Sequence, residues 1–320
     1  MTQHKLKIVF FGTPEFAVES LRAIHESDAA EVVAVVTTPD KPAGRGKHLM
    51  QSAVKQYALS VGLPVLQPVA LKDPEFVGAL SSFGADLFVV IAFRILPEVV
   101  WGMPPMGTFN LHASLLPRYR GAAPINWAVI NGDDRTGVTT FFLKQQMDTG
   151  DVIDRRSIEI TDADNAGTVH DRLMVLGAEL TLDTIRRIAA GEAVATPQEL
   201  LPEGETPTPA PKIFKDTCHI DWSMPALSVH NLVRGLSPYP AAWSALEADG
   251  ADAGTLKIFT TVVTDRKAFV PGRVSVEGSR MYADCGDSAI EILSLQAQGK
   301  RRMDTADFLR GCRYNEMILK

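Results

Sequence analysis

Cysteine is scarce in this chain: Cys218, Cys285 and Cys312 stand far apart, and no two form a C-x-x-C pair. An odd, scattered set argues against a disulfide framework and against a cysteine-held zinc ion, so inert thiols are the expectation. Long apolar runs are missing as well. The longest, LFVVIAF at 87–93, has the length of a buried strand and falls far short of a bilayer. Near the N-terminus, MTQHKLKIVFFGTPEF offers only the apolar run IVFF before Gly12 and Pro14. That is too short for the apolar region of a secretory signal, and the cytoplasm is the expected compartment. Positive charge is not in excess either, the formal net charge being −6. Residues 1–205 carry 18 Lys and Arg against 25 Asp and Glu, and residues 206–320 carry 14 against 13. Any polyanionic partner must therefore be met locally.

What is present is a chain of 320 residues, 46% hydrophobic and 22% charged, the profile of a folded protein long enough for two domains. In the first half, the runs at 7–11, 31–36, 64–67, 86–92, 108–112 and 137–143 are β-branched or aromatic and read as strands. The stretches near 14–25, 51–61, 74–83 and 122–131 read as helices. Apolar strands separated by helices predict a parallel sheet covered on both faces. A further strand is expected at 151–160 and a long helix over about 167–190. The Pro- and Thr-rich stretch ATPQELLPEGETPTPAPK (195–212) breaks the pattern and reads as a linker. Beyond it KIFTTVVT, GRVSVEG, RMYADCG and AIEILSLQ predict a small β-barrel or sandwich. The expected division is 1–192, a linker at 193–211, and 212–320.

Two turns invite a ligand. After the first strand, Thr13 is placed to cap a helix that Pro14 begins, and a helix start at that place often binds an anion. Only Gly12 lies in this turn, so the G-x-G-x-x-G dinucleotide fingerprint is absent. After the second strand, TTPDKPAGRGKHLMQSAVK is a loop made basic by Lys41, Arg45, Lys47 and Lys55. It reads equally as a solvated loop or as an arm that contacts nucleic-acid phosphates.

The stretch FNLHASLLPRYRGAAPINWAVING (109–132) is the richest in chemistry. In a strand, residues two apart share a face, so Asn110 and His112 project together near the sheet edge where such folds bind ligands. LKQQMDTGDVI places Asp148 in a later loop. An amide, an imidazole and a carboxylate suit acyl transfer: the amide steadies an oxyanion, the imidazole donates to it or moves protons, and the carboxylate supports the imidazole or takes a proton from an attacking amine. A hydrogen-bonded core pair and an ordinary turn residue would explain the same spacing. Ser114 as a nucleophile lacks a G-x-S-x-G elbow, and a hydrolytic metal site lacks ligands nearby.

These residues also carry a resemblance. FNLHASLLPRYRGAAPINWAVINGD followed by GVTTFFLKQQMDTGDVI resembles the core of the folate-dependent formyltransferases. The loop PDKPAGRGK and the later IDWS, LVRGLSPYPAAWS and GKRRMDTADFLRG are similar to the methionyl-tRNA formyltransferases among them, over about residues 5 to 313. The resemblance implies a Rossmann-like α/β domain followed by an OB-like β-barrel, and transfer of formyl from 10-formyltetrahydrofolate to methionyl-initiator tRNA without a metal. It implies Asn110, His112 and Asp148 as the catalytic trio and Ser114, Leu115, Leu116 and Pro117, with Phe93 and Arg94, against the folate. Lys41, Arg45 and Lys47 would meet the tRNA, and the barrel would hold its body. A monomer is the family expectation. The chain departs from the family at AFRI (92–95), where an aromatic-Gly pair is more usual, and at KQQM (144–147) before Asp148. Relatives that formylate a nucleotide sugar or glycinamide ribonucleotide, or that hydrolyse the folate, remain alternatives, as does a non-catalytic tRNA- or folate-binding protein.

Overall fold

The structure, a computed structural model, describes residues 5–43, 48–201 and 206–320. The chain forms two compact units, neither of which is one continuous stretch. The first comprises Met1–Gly121, Gly137–Ile158 and His170–Pro209, the second Ala122–Thr136, Glu159–Val169 and Ala210–Lys320.

The first unit is built on seven strands: β1 (Leu6–Gly12), β2 (Ala30–Val36), β3 (Val65–Leu66), β4 (Leu87–Ile91), β5 (Thr108–His112), β6 (Arg135–Phe142) and β7 (Val152–Glu159). They lie in the order β7-β6-β5-β4-β1-β2-β3. Strands β1 to β5 pair in parallel. The order turns back between β1 and β4, which is where open sheets of this kind leave a crevice at the strand ends. The parallel sheet expected from the sequence is present, with one antiparallel step at its edge where β5 meets β6. The apolar run TTFF looks the same in either direction, so composition could not reveal this.

β4 and most of β1 are sealed from solvent, as continuous apolar runs covered on both faces should be. Helices Glu15–Glu26, Ala53–Ser60 and Pro74–Ser82 follow β1, β2 and β3. Ser52 and Asp73 cap the second and third of them. The first is capped by the backbone of Pro14, not by Thr13, whose hydroxyl bonds nothing among the described residues. Two short strands, Lys41–Ala43 and His48–Met50, pair antiparallel where a plain loop is expected. Helix Ala166–Ala189 lies over β5 and β6: Gly177 admits the Leu111 side chain, and Thr184 bonds Thr140 at 2.9 Å.

The second unit contains β8 (Ala242–Ala248), β9 (Ala251–Lys267), β10 (Val274–Glu277), β11 (Arg280–Asp284), β12 (Ser288–Ala297), β13 (Met303–Asp304) and β14 (Met317–Leu319). The order is β10-β11-β12-β9-β8-β14, with β13 on β12, and these pairings are antiparallel. A bridge from Arg273 to Ile318 joins the two ends into a nearly closed barrel. Helix Ala226–Leu236, absent from the strand-based expectation, fills the barrel core with Val229, Val233 and Leu236. Burial raises the thiols of Cys218 and Cys285, the latter to about 12, so neither is a reactive thiolate. Among the described residues no helix is long and apolar enough to cross a membrane, and no group of His, Cys, Asp and Glu could hold a metal ion.

Candidate active site

Asn110 and His112 emerge on one face of β5, opposite Phe141 and Thr139 of β6. Asn110 is half-buried, and its side-chain amide has no protein partner among the described residues. His112 is buried, and its Nε2 lies 2.8 Å from the Tyr119 carbonyl. A carbonyl only accepts, so Nε2 carries the hydrogen and Nδ1 is the ring atom left for a reacting group. The two residues are therefore not a hydrogen-bonded core pair.

The turn after β5 is held from several sides. Thr139 Oγ1 donates to the Ser114 carbonyl at 2.6 Å and accepts from the Leu116 amide at 3.1 Å. Ser114 Oγ donates to the Arg118 carbonyl at 2.6 Å, and Arg155 reaches the Leu116 carbonyl at 3.0 Å. Ser114 is fully buried with its hydroxyl engaged, which removes it as a nucleophile. Leu116 is packed with Phe141 and Val152, Pro117 is buried, and only Leu115 of this quartet keeps partial exposure. Tyr119, held by the Thr208 hydroxyl at 2.9 Å, adopts a left-handed φ of 59°.

That turn is where the third residue arrives. The Gly121 amide donates to Asp148 Oδ2 at 2.9 Å. Tyr119 and Gly121 thus hold the imidazole and the carboxylate on one short piece of backbone. Asp148 itself is buried and left-handed, with φ 55°. Its loop is tied by Lys144 to Asp151 at 2.6 Å and by the Thr149 hydroxyl to the Gln146 carbonyl at 2.9 Å. Ala92, at the end of β4, is left-handed too, with φ 48°. Three non-glycine residues in this costly conformation, all at the ends of adjacent strands or in the loops they meet, mark a site that the surrounding structure holds in place.

Phe93 packs edge-on to Phe11 with ring centroids 5.7 Å apart. Arg94 turns its guanidinium to the carbonyls of Pro68 and Val69, at 2.7 and 3.0 Å. In this chain, then, Arg94 staples the loop after β4 to the loop after β3. Arg94→Ala should lower stability by roughly 1–2 kcal/mol, visible as a thermal shift of a few degrees. An unchanged melting temperature would remove the staple. Beside it a groove of about 710 Å³ is lined by Leu71, Ile95, Leu96, Pro97, Trp101 and Gln145, among others. Lys41 is exposed, whereas Arg45 and Lys47 lie outside the described residues. Lys55, grouped with them by sequence, is instead paired to Asp40 at 2.6 Å and holds that carboxyl below its usual range.

Residues that build the site without a chemical signature include Thr139, Thr208 and Gln198. A lone Thr in a strand or a Gln in a Pro-rich stretch carries no signal that would single it out. Arg120 and Gly121 stand inside the quoted YRG turn, but their roles required coordinates.

The formyl transferase family matches residues 6–185, and the formyl transferase C-terminal domain matches residues 212–313. A methionyl-tRNA formyltransferase of Bacteroides fragilis is 51% identical over 318 residues, covering 99% of this chain and 98% of that protein. One from Parabacteroides distasonis is 53% identical over 315 residues, 97% of each. Among solved structures, HypX from Aquifex aeolicus shares the fold with a TM-score of 0.64 at 18% identity, covering 97% of this chain and 49% of that one. The sugar 3N-formyl transferase WlaRD, crystallised in the presence of dTDP and 5-N-formyl-THF, gives 0.63 at 18% identity, covering 93% and 100%. With full-length relatives at half identity and both domains matched, the chain belongs to the methionyl-tRNA formyltransferase family.

Proposed function

We propose that this protein transfers formyl from 10-formyltetrahydrofolate to the α-amino group of methionine on initiator tRNA, giving N-formylmethionyl-tRNA. The observation that carries the reading is the unpartnered amide of Asn110 beside His112, with Asp148 tied to the turn that holds that imidazole. The relatives named above supply the acceptor.

The folate, when bound, supplies a formyl group on N10; its N10–formyl bond breaks as N10 takes up the proton the amine has given up, leaving tetrahydrofolate. Asn110 Nδ2 donates to the formyl oxygen as negative charge gathers on it. His112, fixed through Nε2, presents Nδ1, which accepts a proton from the attacking amine when the ring is neutral and donates to the oxyanion when it is charged. Asp148 is the anion that steadies the charged ring and takes part in removing the amine's proton. We assign the folate to the loop of Phe93 and Arg94, the neighbouring groove, and the turn Ser114, Leu115, Leu116 and Pro117. Since Ser114 and Leu116 are buried, that turn acts through its backbone and through Leu115.

Residues 1–192 are assigned the chemistry, 193–211 the connection and 212–320 the tRNA body. Lys41, Arg45 and Lys47 are assigned to RNA phosphates, and a cytoplasmic monomer completes the reading. A formyl-transfer assay offering charged initiator tRNA, a nucleotide-sugar amine and glycinamide ribonucleotide tests it, and transfer to either small acceptor but not to the tRNA overturns it. For the arm, Arg45→Ala should weaken tRNA binding and flatten its salt dependence while folate binding stays unchanged. Superimposable salt series for both proteins would clear the arm of that role.

A further inference from the structure

Gln198 lies in the Pro-rich stretch that reads as a linker, yet it is buried. The strand pairing explains how it comes to be there: Thr196 and Val152 exchange two backbone hydrogen bonds of 2.8 Å, which lays the segment against the start of β7. From that position the two hydrogens of its amide go to two carbonyls, those of Asp148 and Gly150, each at 2.9 Å. Its Oε1 accepts from Arg120, from Nη2 at 2.5 Å and from Nε at 3.2 Å. The next residue along, Gly121, is the one whose amide holds the Asp148 carboxylate. A ring therefore closes: Arg120 grips Gln198, Gln198 grips the backbone of Asp148, and the Asp148 carboxylate returns to Gly121.

We infer that Gln198 is a positioning residue that fixes the direction of the Asp148 carboxylate by clamping the carbonyls on both sides of Thr149. The inference rests on the reading that Asp148 acts at the reaction centre. The physical reason is the backbone of Asp148, whose φ of 55° is a conformation an L-residue leaves unless it is held. Gly121 restrains the side chain and Gln198 restrains the backbone. With only the first, the carboxylate could pivot about a loop free to relax. Gln198 needs no contact with either substrate to have this effect. Its side chain has the matching chemistry at both ends, since only an amide offers two donors to carbonyls and an acceptor to a guanidinium.

The test is a double-mutant cycle on formyl transfer to charged initiator tRNA, using Gln198→Glu, Gln198→Met and Asp148→Asn alone and combined. Glu keeps the acceptor for Arg120 and removes both donors; Met keeps the length and removes both functions. Each Gln198 variant should lower kcat by roughly tenfold to a hundredfold, with KM for the folate within about threefold of wild type. In the Asp148→Asn background the same change should cost no more than about twofold, because a residue acting through Asp148 has nothing left to act on. Wild-type kcat in a folded Gln198 variant overturns the inference. So do losses that multiply across the two sites, the mark of a merely structural residue. Should Asp148→Asn itself turn over normally, the site reading falls with it, a result distinct from a failure at Gln198 alone.

Discussion

Asn110→Ala is expected to lower turnover by about two to three orders of magnitude, since one oxyanion donor contributes roughly 3–4 kcal/mol to the transition state. The geometry makes this a clean measurement. The amide makes no protein hydrogen bond among the described residues, so removing it orphans no partner, and its backbone stays in the ladder between β4 and β6. Melting temperature and folate affinity should therefore hold while kcat falls. That separates a transition-state donor from a ground-state contact, which would raise KM instead. Single-turnover transfer to charged initiator tRNA reads the chemical step. A purified Asn110→Ala protein within threefold of wild type would take the oxyanion away from Asn110.

That Asn110 and His112 share a face was legible because a strand has a period of two, and the run TFNLH could not turn one to that face without the other. β1 and β4 were legible for a different reason: uninterrupted apolar runs of that length have nowhere to go but the inside of a sheet. The antiparallel step from β5 to β6 was hidden, because pairing direction is set by how the chain returns and not by the side chains themselves. Gln198 was hidden more deeply. Prolines at 197 and 202 mark its stretch as irregular, correctly, yet irregular backbone can dock as firmly as a strand when its donors and acceptors find partners, as Thr196 does on Val152. Residues 122–136 pack with the second unit although they follow the turn at 113–121 directly. Within that unit Gly235 leaves room for Ile130, and Asn126 bonds the Gly235 carbonyl at 2.8 Å. Such a long-range pairing has no local signature. The left-handed residues Ala92, Tyr119 and Asp148 escaped as well, since none is glycine and each is held there by the structure around it.

Gly150→Ala should be the most damaging single methyl in the first unit. A Cβ at 150 would stand 1.7 Å from the Phe142 carbonyl oxygen and 2.8 Å from the Phe141 ring. Phe142 cannot yield, because it pairs with Phe109 in the β5–β6 ladder and its amide bonds the Asp151 carbonyl at 3.1 Å. The loop must move instead, and moving it withdraws the Gly150 carbonyl from Gln198 and swings Asp148 away from Gly121. Overpacking of this kind costs roughly 1–3 kcal/mol or more, so the melting temperature should drop by several degrees. Turnover should fall by about a hundredfold beside it, the scale of loss expected when a reacting group is misplaced by about an ångström. Gly78→Ala provides the contrast. It lies in helix Pro74–Ser82 with nothing within 4 Å of the added carbon, and it should leave activity intact while raising stability by about 0.5–1 kcal/mol. Asn110→Ala is expected to lower kcat at constant stability, whereas Gly150→Ala should lower both together. If Gly150→Ala melts lower yet turns over normally, the close approach of this loop to β6 serves the fold alone, and the carboxylate of Asp148 need not be where Gly121 holds it.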